Sequence, residues 1–154
     1  MHRNAEHVAS ALRSLGVPGQ VRELDQPAPT AATAAAQLGC DVGAIANSLV
    51  FSADGEPLLV LTSGAHRVDT AKVAAEFGVH TVGRADPDFV HAATGQRIGG
   101  VAPVGHPKPV RTLVDNALAA YDIVWAAAGH AHTVFPTSFE ELVRITGGMP
   151  ADVG

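Results

Sequence analysis

Three kinds of residue in this 154-residue chain could do chemistry: eight histidines, one cysteine and a glycine-rich segment, GQRIGGVAPVGHPKP, over 95–109. A loop folded over the His130-x-His132 pair could bring His106 to it and complete a three-histidine zinc site. No HExxH pattern and no clear carboxylate base accompanies these histidines, so neither a metal nor a cofactor is expected. His130 and His106 read instead as hydrogen-bonding groups lining a pocket, and His66, His80 and His91 as structural or surface residues. Cys40 has no second cysteine to pair with and reads as a small buried residue rather than a thiolate nucleophile. Ser63 lacks the G-x-S-x-G elbow of a serine hydrolase, and the glycine-rich segment lacks the GK[ST] ending of a phosphate-binding loop. That segment offers backbone: with no side chain in the way, Gly99 and Gly100 could present N–H groups to a ligand's oxygen. The same two residues would also suit a tight structural turn.

The elements that must position these groups can be read from periodicity and punctuation. Val8, Leu12 and Leu15 share one face of a helix over 4–15 that Gly16 stops, and VRELDQP reads as a short strand entering a loop. Thr30 caps the alanine-rich AATAAAQL, which Gly39 ends, and Asp41 is expected to cap a short turn through Ala46. Two apolar runs flank Asp54-Gly55, which predicts an antiparallel hairpin with strands near 48–53 and 57–62. Asp69 and Asp86-Pro87 each open a helix, closed by Gly78 and Gly95. The seven glycines and prolines between 95 and 109 exclude regular structure there and predict an ordered functional loop. VRTLVD, DIVWAAAG and HTVF follow as strands, and Thr137-x-x-Glu140 is expected to box the start of a last helix that Gly147-Gly148 ends. Because the hairpin is antiparallel while helices and strands otherwise alternate, the fold class is α/β, with a mixed, partly curled sheet flanked by helices.

An apolar share of 47% against 16% charged residues belongs to a chain that can bury a core, and the length suits one domain, taken as 1–154. The single cysteine and the absence of an apolar leader or span point to the cytoplasm, with no membrane partner. A net charge of −5 argues against DNA or any long nucleic-acid backbone as ligand, because Lys and Arg supply most of such affinity. Any RNA contact must be confined to a short end or depend on a partner that delivers it.

The succession IANSLVF, EPLLVLTSGAHRVD, GQRIGGVAPVGH and VWAAAGHAHTVF resembles the YbaK/ProX family over about residues 17–148. That family includes the editing insertion of bacterial prolyl-tRNA synthetases. The resemblance implies a mixed sheet flanked by helices and hydrolysis of the ester of mischarged tRNA, with Ala or Cys on tRNA-Pro. Its partners would be the aminoacylated acceptor end and a synthetase. The family's G-x-x-x-P element falls on Gly99 to Pro103, its A-G-H turn on Ala128-Gly129-His130, and its central lysine on Asn47. Asn47, Gly99, Gly100 and His130 are therefore the catalytic candidates, and Ala46, Ser48, Ala102, Pro103, His106, Gly129 and His132 the substrate-binding ones. Small residues such as Ala46, Ala102 and Ala127 would restrict the amino acid by size, and a ribose hydroxyl would stand in for a protein base. Asn47 can still donate to a substrate carbonyl or ribose hydroxyl, but without a lysine's charge; it would equally suit a cap on the preceding turn. The alternative function is a module of the same fold that binds aminoacyl-tRNA or adenosine and hydrolyses weakly.

Overall fold

The computed structural model describes residues 2–154. The apolar runs around Asp54-Gly55 form the hairpin, somewhat longer than expected: β2 is Ile45–Ala53 and β3 is Glu56–Ser63, after a short β1 at Arg22–Glu23. Both turn residues take positive φ, 50° at Asp54 and 89° at Gly55, as a two-residue connection matched to strand twist requires. The Asp54 carboxylate also accepts from the backbone N–H groups of His80 and Thr81, which holds its pKa below the ordinary carboxylate value and ties the turn to the following segment. That segment contains β4, Val82–Arg84.

The remaining strands are β5 (Arg111–Asp115), β6 (Val124–Ala127), β7 (Thr133–Thr137) and β8 (Met149–Ala151). They make one mixed sheet in the order β1-β7-β6-β2-β3-β5-β8, with β4 also pairing β2. Five helices flank it: α1 (Arg3–Ser14), α2 (Ala31–Leu38), α3 (Thr70–Phe77), α4 (Pro87–Thr94) and α5 (Phe139–Thr146). β3 is central and covered on both faces, so its apolar run is continuous rather than alternating. Leu59 and Leu61 join Val8, Leu12, Phe135 and Leu142 on one side, while Leu58 and Val60 join Val73 and Leu113 on the other. α2 packs its small Ala34 and Ala35 against Ile45 and Trp125, an approach that larger side chains would hold apart.

Four local expectations are corrected. α1 starts at Arg3, one residue early, because His2 serves as its cap and accepts from Asn4 N–H at 3.0 Å. Asp41 precedes a short 3₁₀ turn at Val42–Ala44 but makes no side-chain cap bond. The last helix begins one residue later than Thr137-x-x-Glu140 implied: Thr137 is still paired to Val124 in the sheet, so Ser138 becomes the cap and accepts from Glu141 N–H. The Thr137 hydroxyl instead donates to the Glu141 carboxylate at 2.7 Å. Finally, β4 and β8 went unpredicted, as three-residue strands defined by their partners rather than by a periodic pattern.

Candidate functional site

The site lies at a break in the sheet. β2 meets β6 only through Ile45 and Ala46, and on that same edge meets β4 only from Phe51 to Ala53. Residues 47–50 therefore have a strand partner on the β3 side alone. The Ile45 carbonyl accepts from Gly64 N–H across the β3 side, so by strand alternation the backbone groups of Ser48 point the other way, into the break. A pocket of about 210 Å³ fills this position.

Its walls come from several places in the chain, β7 contributing Thr133 and Val134. β2 supplies Ile45, Ala46, Asn47, Ser48 and Leu49; the glycine-rich loop supplies Ile98, Gly99, Gly100 and Val101; β6 supplies Trp125, Ala126 and Ala127. His130 and Ala131 close one end, and the start of α2, Pro29 to Ala31 with Ala34, closes another. Among the described residues, no Asp, Glu, Lys or Arg lines it.

The glycines have steric reasons to be where they are. A Cβ on Gly100 would lie 2.6 Å from the His130 carbonyl carbon, and one on Gly129, where φ is +99°, would lie 2.8 Å from the Asn4 carbonyl oxygen. Those clearances let the loop and the turn dock directly, with Gly129 N–H donating to the Gly100 carbonyl at 2.9 Å. Gly100 N–H is itself spent on the Arg97 carbonyl at 3.2 Å, so Gly100 shapes the pocket rather than serving it as a donor. Gly99 N–H, like those of Ile98 and Val101 beside it, has no hydrogen-bond partner among the described residues.

His130 is held in one tautomer. Its Nδ1 accepts from His132 N–H at 3.2 Å, which leaves the proton of the neutral ring on Nε2. Desolvation, and then the neighbouring His2 and His132, hold its pKa below the ordinary histidine value. At neutral pH it is an uncharged N–H donor.

Asn47 lies on the same strand face as Ile45 and makes no side-chain hydrogen bond among the described residues, so it caps no turn. Ser48 lies on the opposite face, and its hydroxyl is buried without a partner. Of the remaining expected contacts, Ala46 and Ser48 line the pocket, and Gly129 lines an adjoining cleft together with His130. Ala102, Pro103, His106 and His132 do not line the pocket. Ala102 is fully buried in the core, and its N–H donates to the buried Gln96 side chain at 2.6 Å. His106 bonds the Ala102 carbonyl at 2.8 Å and, with Pro103, borders a separate hollow beside α1 and α5. The loop curls away from the pocket after Val101, which is why G-x-x-x-P spacing reaches the site at its glycines and leaves it before its proline. His132 stacks on His130, with centroids 5.3 Å apart.

Sequence reasoning missed Trp125, Ile98 and the Pro29–Ala34 wall. The alanine run of α2 carried a signal, since a helix so poor in bulk can approach a strand closely enough to wall a small cavity. Gln96, which braces the loop through Ala102 N–H and the Val104 carbonyl, carried none. Burial and the adjacent Asp41 push the Cys40 thiol pKa up, consistent with an unreactive side chain. No group of three or more His, Cys, Asp or Glu side chains among the described residues could hold a metal ion, and no helix among them is long and apolar enough to cross a membrane.

A mixed α/β sheet broken around a small, uncharged, glycine-edged pocket is the class of domain that the fold and the site define. Within that class the chain belongs to the aminoacyl-tRNA editing domain family, whose model matches residues 25–145. It is 28% identical over 123 residues to the YwhH protein of Bacillus subtilis (strain 168), covering 79% of this chain and 78% of that one. It is 31% identical over 110 residues to the proline–tRNA ligase of Nitratidesulfovibrio vulgaris (strain DP4), where the match takes in 71% of this chain but 18% of the ligase. A crystal structure described as a candidate trans-editing enzyme for prolyl tRNA synthetase superposes with a TM-score of 0.93 at 37% identity, covering 99% of this chain and 98% of that one.

Proposed function

We propose that residues 1–154 form one editing domain that hydrolyses the ester between a small amino acid and the 3′ end of tRNA, with Ala or Cys on tRNA-Pro as the expected substrates. The observation that carries this reading is the convergence of Asn47, Gly99 and His130 on a pocket walled by Ala31, Ala34, Ala46, Ala126 and Ala127. Water attacks the ester carbonyl, and the developing oxyanion needs fixed donors. Gly99 N–H, His130 Nε2–H and the Asn47 amide are the groups at hand. The products are the free amino acid and a tRNA with its terminal hydroxyl restored. With no ionised base in the pocket, the proton of the attacking water passes through the neighbouring ribose hydroxyl of the substrate. The site of action is the cytoplasm, where charged tRNA and its synthetase meet.

The same absence of an ionised base favours a second reading, a module that binds the aminoacyl end and turns it over weakly. Purified protein and its Asn47→Lys variant, assayed against tRNAs charged with Ala, Cys, Ser, Thr and Pro, separate the two. Hydrolysis of the Ala or Cys ester by the parent supports the enzyme. Tight binding with no release by either protein supports the module.

A further inference from the structure

The molecule has a second cleft, of about 570 Å³, that opens directly from the acyl pocket: Ile98, Gly100, His130 and Ala131 line both. We propose that this cleft, lined by Arg3, Arg97, His2, His91 and His130, is a binding track for the single-stranded nucleotides that precede the terminal adenosine of the RNA. The inference rests on the reading of an aminoacylated RNA end as substrate and assigns where that end runs outside the pocket.

Size requires such a track. The acyl pocket, at about 210 Å³, falls below the roughly 300–1,000 Å³ of sites that enclose a small organic ligand. A nucleoside carrying an amino acid must therefore project from it, and the adjoining cleft is where the space continues.

Charge supports the same direction. The chain carries a net charge of −5, yet no Asp or Glu among the described residues lines this cleft, while two arginines do. Arg3 and Arg97 are exposed, and neither has an ion-pair or side-chain hydrogen-bond partner among the described residues. Asp88 lies in a hollow that shares His91, Arg97 and Ile98 with the cleft. Unpaired guanidinium groups in a chain otherwise short of cation are suited to phosphate oxygens, which they grip with paired N–H donors.

The third feature is a stack of rings. His2 lies over His130 with centroids 4.4 Å apart and planes inclined by 22°, and His130 continues onto His132. His2 is fixed by Asn4 N–H at its Nδ1, as His130 is by His132 N–H, so the column is held from the backbone. Single-stranded RNA is bound by combining phosphate contacts with ring faces on which unstacked bases rest. Ile98, 59% exposed between the two cavities, adds an apolar face at the point where a base would turn from one into the other.

The test uses the whole chain and two uncharged RNA hairpins, one ending in the single-stranded CCA of a tRNA acceptor and one trimmed to a blunt end. By fluorescence anisotropy the parent binds the CCA-ended hairpin more tightly than the blunt one. The Arg3→Gln/Arg97→Gln double variant loses that preference, and its log-affinity against log-salt slope for the CCA-ended hairpin falls by about 1.4, or 0.7 for each phosphate that is no longer neutralised. Melting temperatures within a degree or two of the parent exclude misfolding as the cause. A double variant that keeps the preference and the slope overturns the proposal, as does one that loses affinity equally for both hairpins. Because neither RNA is aminoacylated, a protein that hydrolyses no ester would overturn the proposed activity and leave this result standing.

Discussion

β2 takes part in two unlike contacts. Toward β3 it pairs over eight residues, Ala46 to Ala53, and the partner strand carries four successive apolar residues, Leu58 to Leu61, with no exposed surface. Toward β6 it pairs over two residues and then parts company, and the break is lined by a loop, a turn and the start of α2. One side of the strand maximises burial and backbone pairing, while the other leaves Ser48 with an orphan hydroxyl and Asn47 with an unused amide. On the proposed function, stability and ligand capacity lie toward opposite edges of a single strand, and substitutions on the two sides should fail in different ways.

The largest expected effect is on the β3 side. Leu59→Ala removes a fully buried side chain from the main core and should cost about 2–5 kcal/mol of unfolding free energy by urea titration. The folded fraction should retain its deacylation rate. Gly100→Ala tests the other side: its new methyl group must displace the His130 backbone, at about 1–3 kcal/mol of stability. A shift of the donors by even 1 Å can cost on the order of a hundredfold in rate, so activity should fall much further than stability. Equal proportional losses in the two variants would mean that the edges are not separate at all.

This division also decides what could be read from the sequence. The hairpin was legible because Asp54-Gly55 and its flanking apolar runs determine their structure locally, as do the caps Thr30, Asp69 and Asp86, all of which bond as expected. At the site, Asn47, Gly99 and His130 could be nominated by motif resemblance, because each type has chemistry of its own. His106 and Pro103 could not be set aside, since the direction in which a loop leaves a pocket depends on long-range contacts such as Gly129 N–H to the Gly100 carbonyl. The cleft of Arg3 and Arg97 was illegible for the same reason: the two residues are far apart in sequence and neighbours only after folding.

A smaller effect sharpens the comparison at Asn47. The Asn47→Lys variant places a cation at the rim of an uncharged pocket, and the difference between a charged and a neutral hydrogen bond, about 1 kcal/mol or a little more, corresponds to roughly tenfold in rate. Release of the small amino acid should rise by that factor, while Asn47→Ala should lose about 0.5–1.5 kcal/mol of substrate binding or turnover. Since Asn47 makes no side-chain bond within the fold, neither change should alter the urea midpoint appreciably. A large midpoint shift would move Asn47 from the ligand-facing side of the comparison to the structural one.

The smallest effect concerns His106, which bonds the loop at the Ala102 carbonyl and does not line the pocket. Burial holds its pKa below the ordinary histidine value, opposed by the Ala102 carbonyl that its Nε2 contacts. That contact puts the proton of the neutral ring on Nε2, and a second proton must be accommodated in a desolvated position. The unfolded chain takes up this proton as pH falls below about 6.5, before the folded chain does, so below that pH the unfolded state binds more protons. The stability contribution of the neutral ring is therefore present above about 6.5 and is lost as pH falls through the lower folded value. His106→Gln keeps a donor for the Ala102 carbonyl without the titration and should flatten this part of the stability–pH curve. His130, shifted in the same direction, will leave a residual slope that His106→Gln/His130→Gln removes. The acid loss should be local: amide hydrogen exchange should accelerate first over the 96–105 loop, while β3 stays protected until global unfolding. Exchange that accelerates together in the loop and in β3 would show that the two edges of β2 open as one unit.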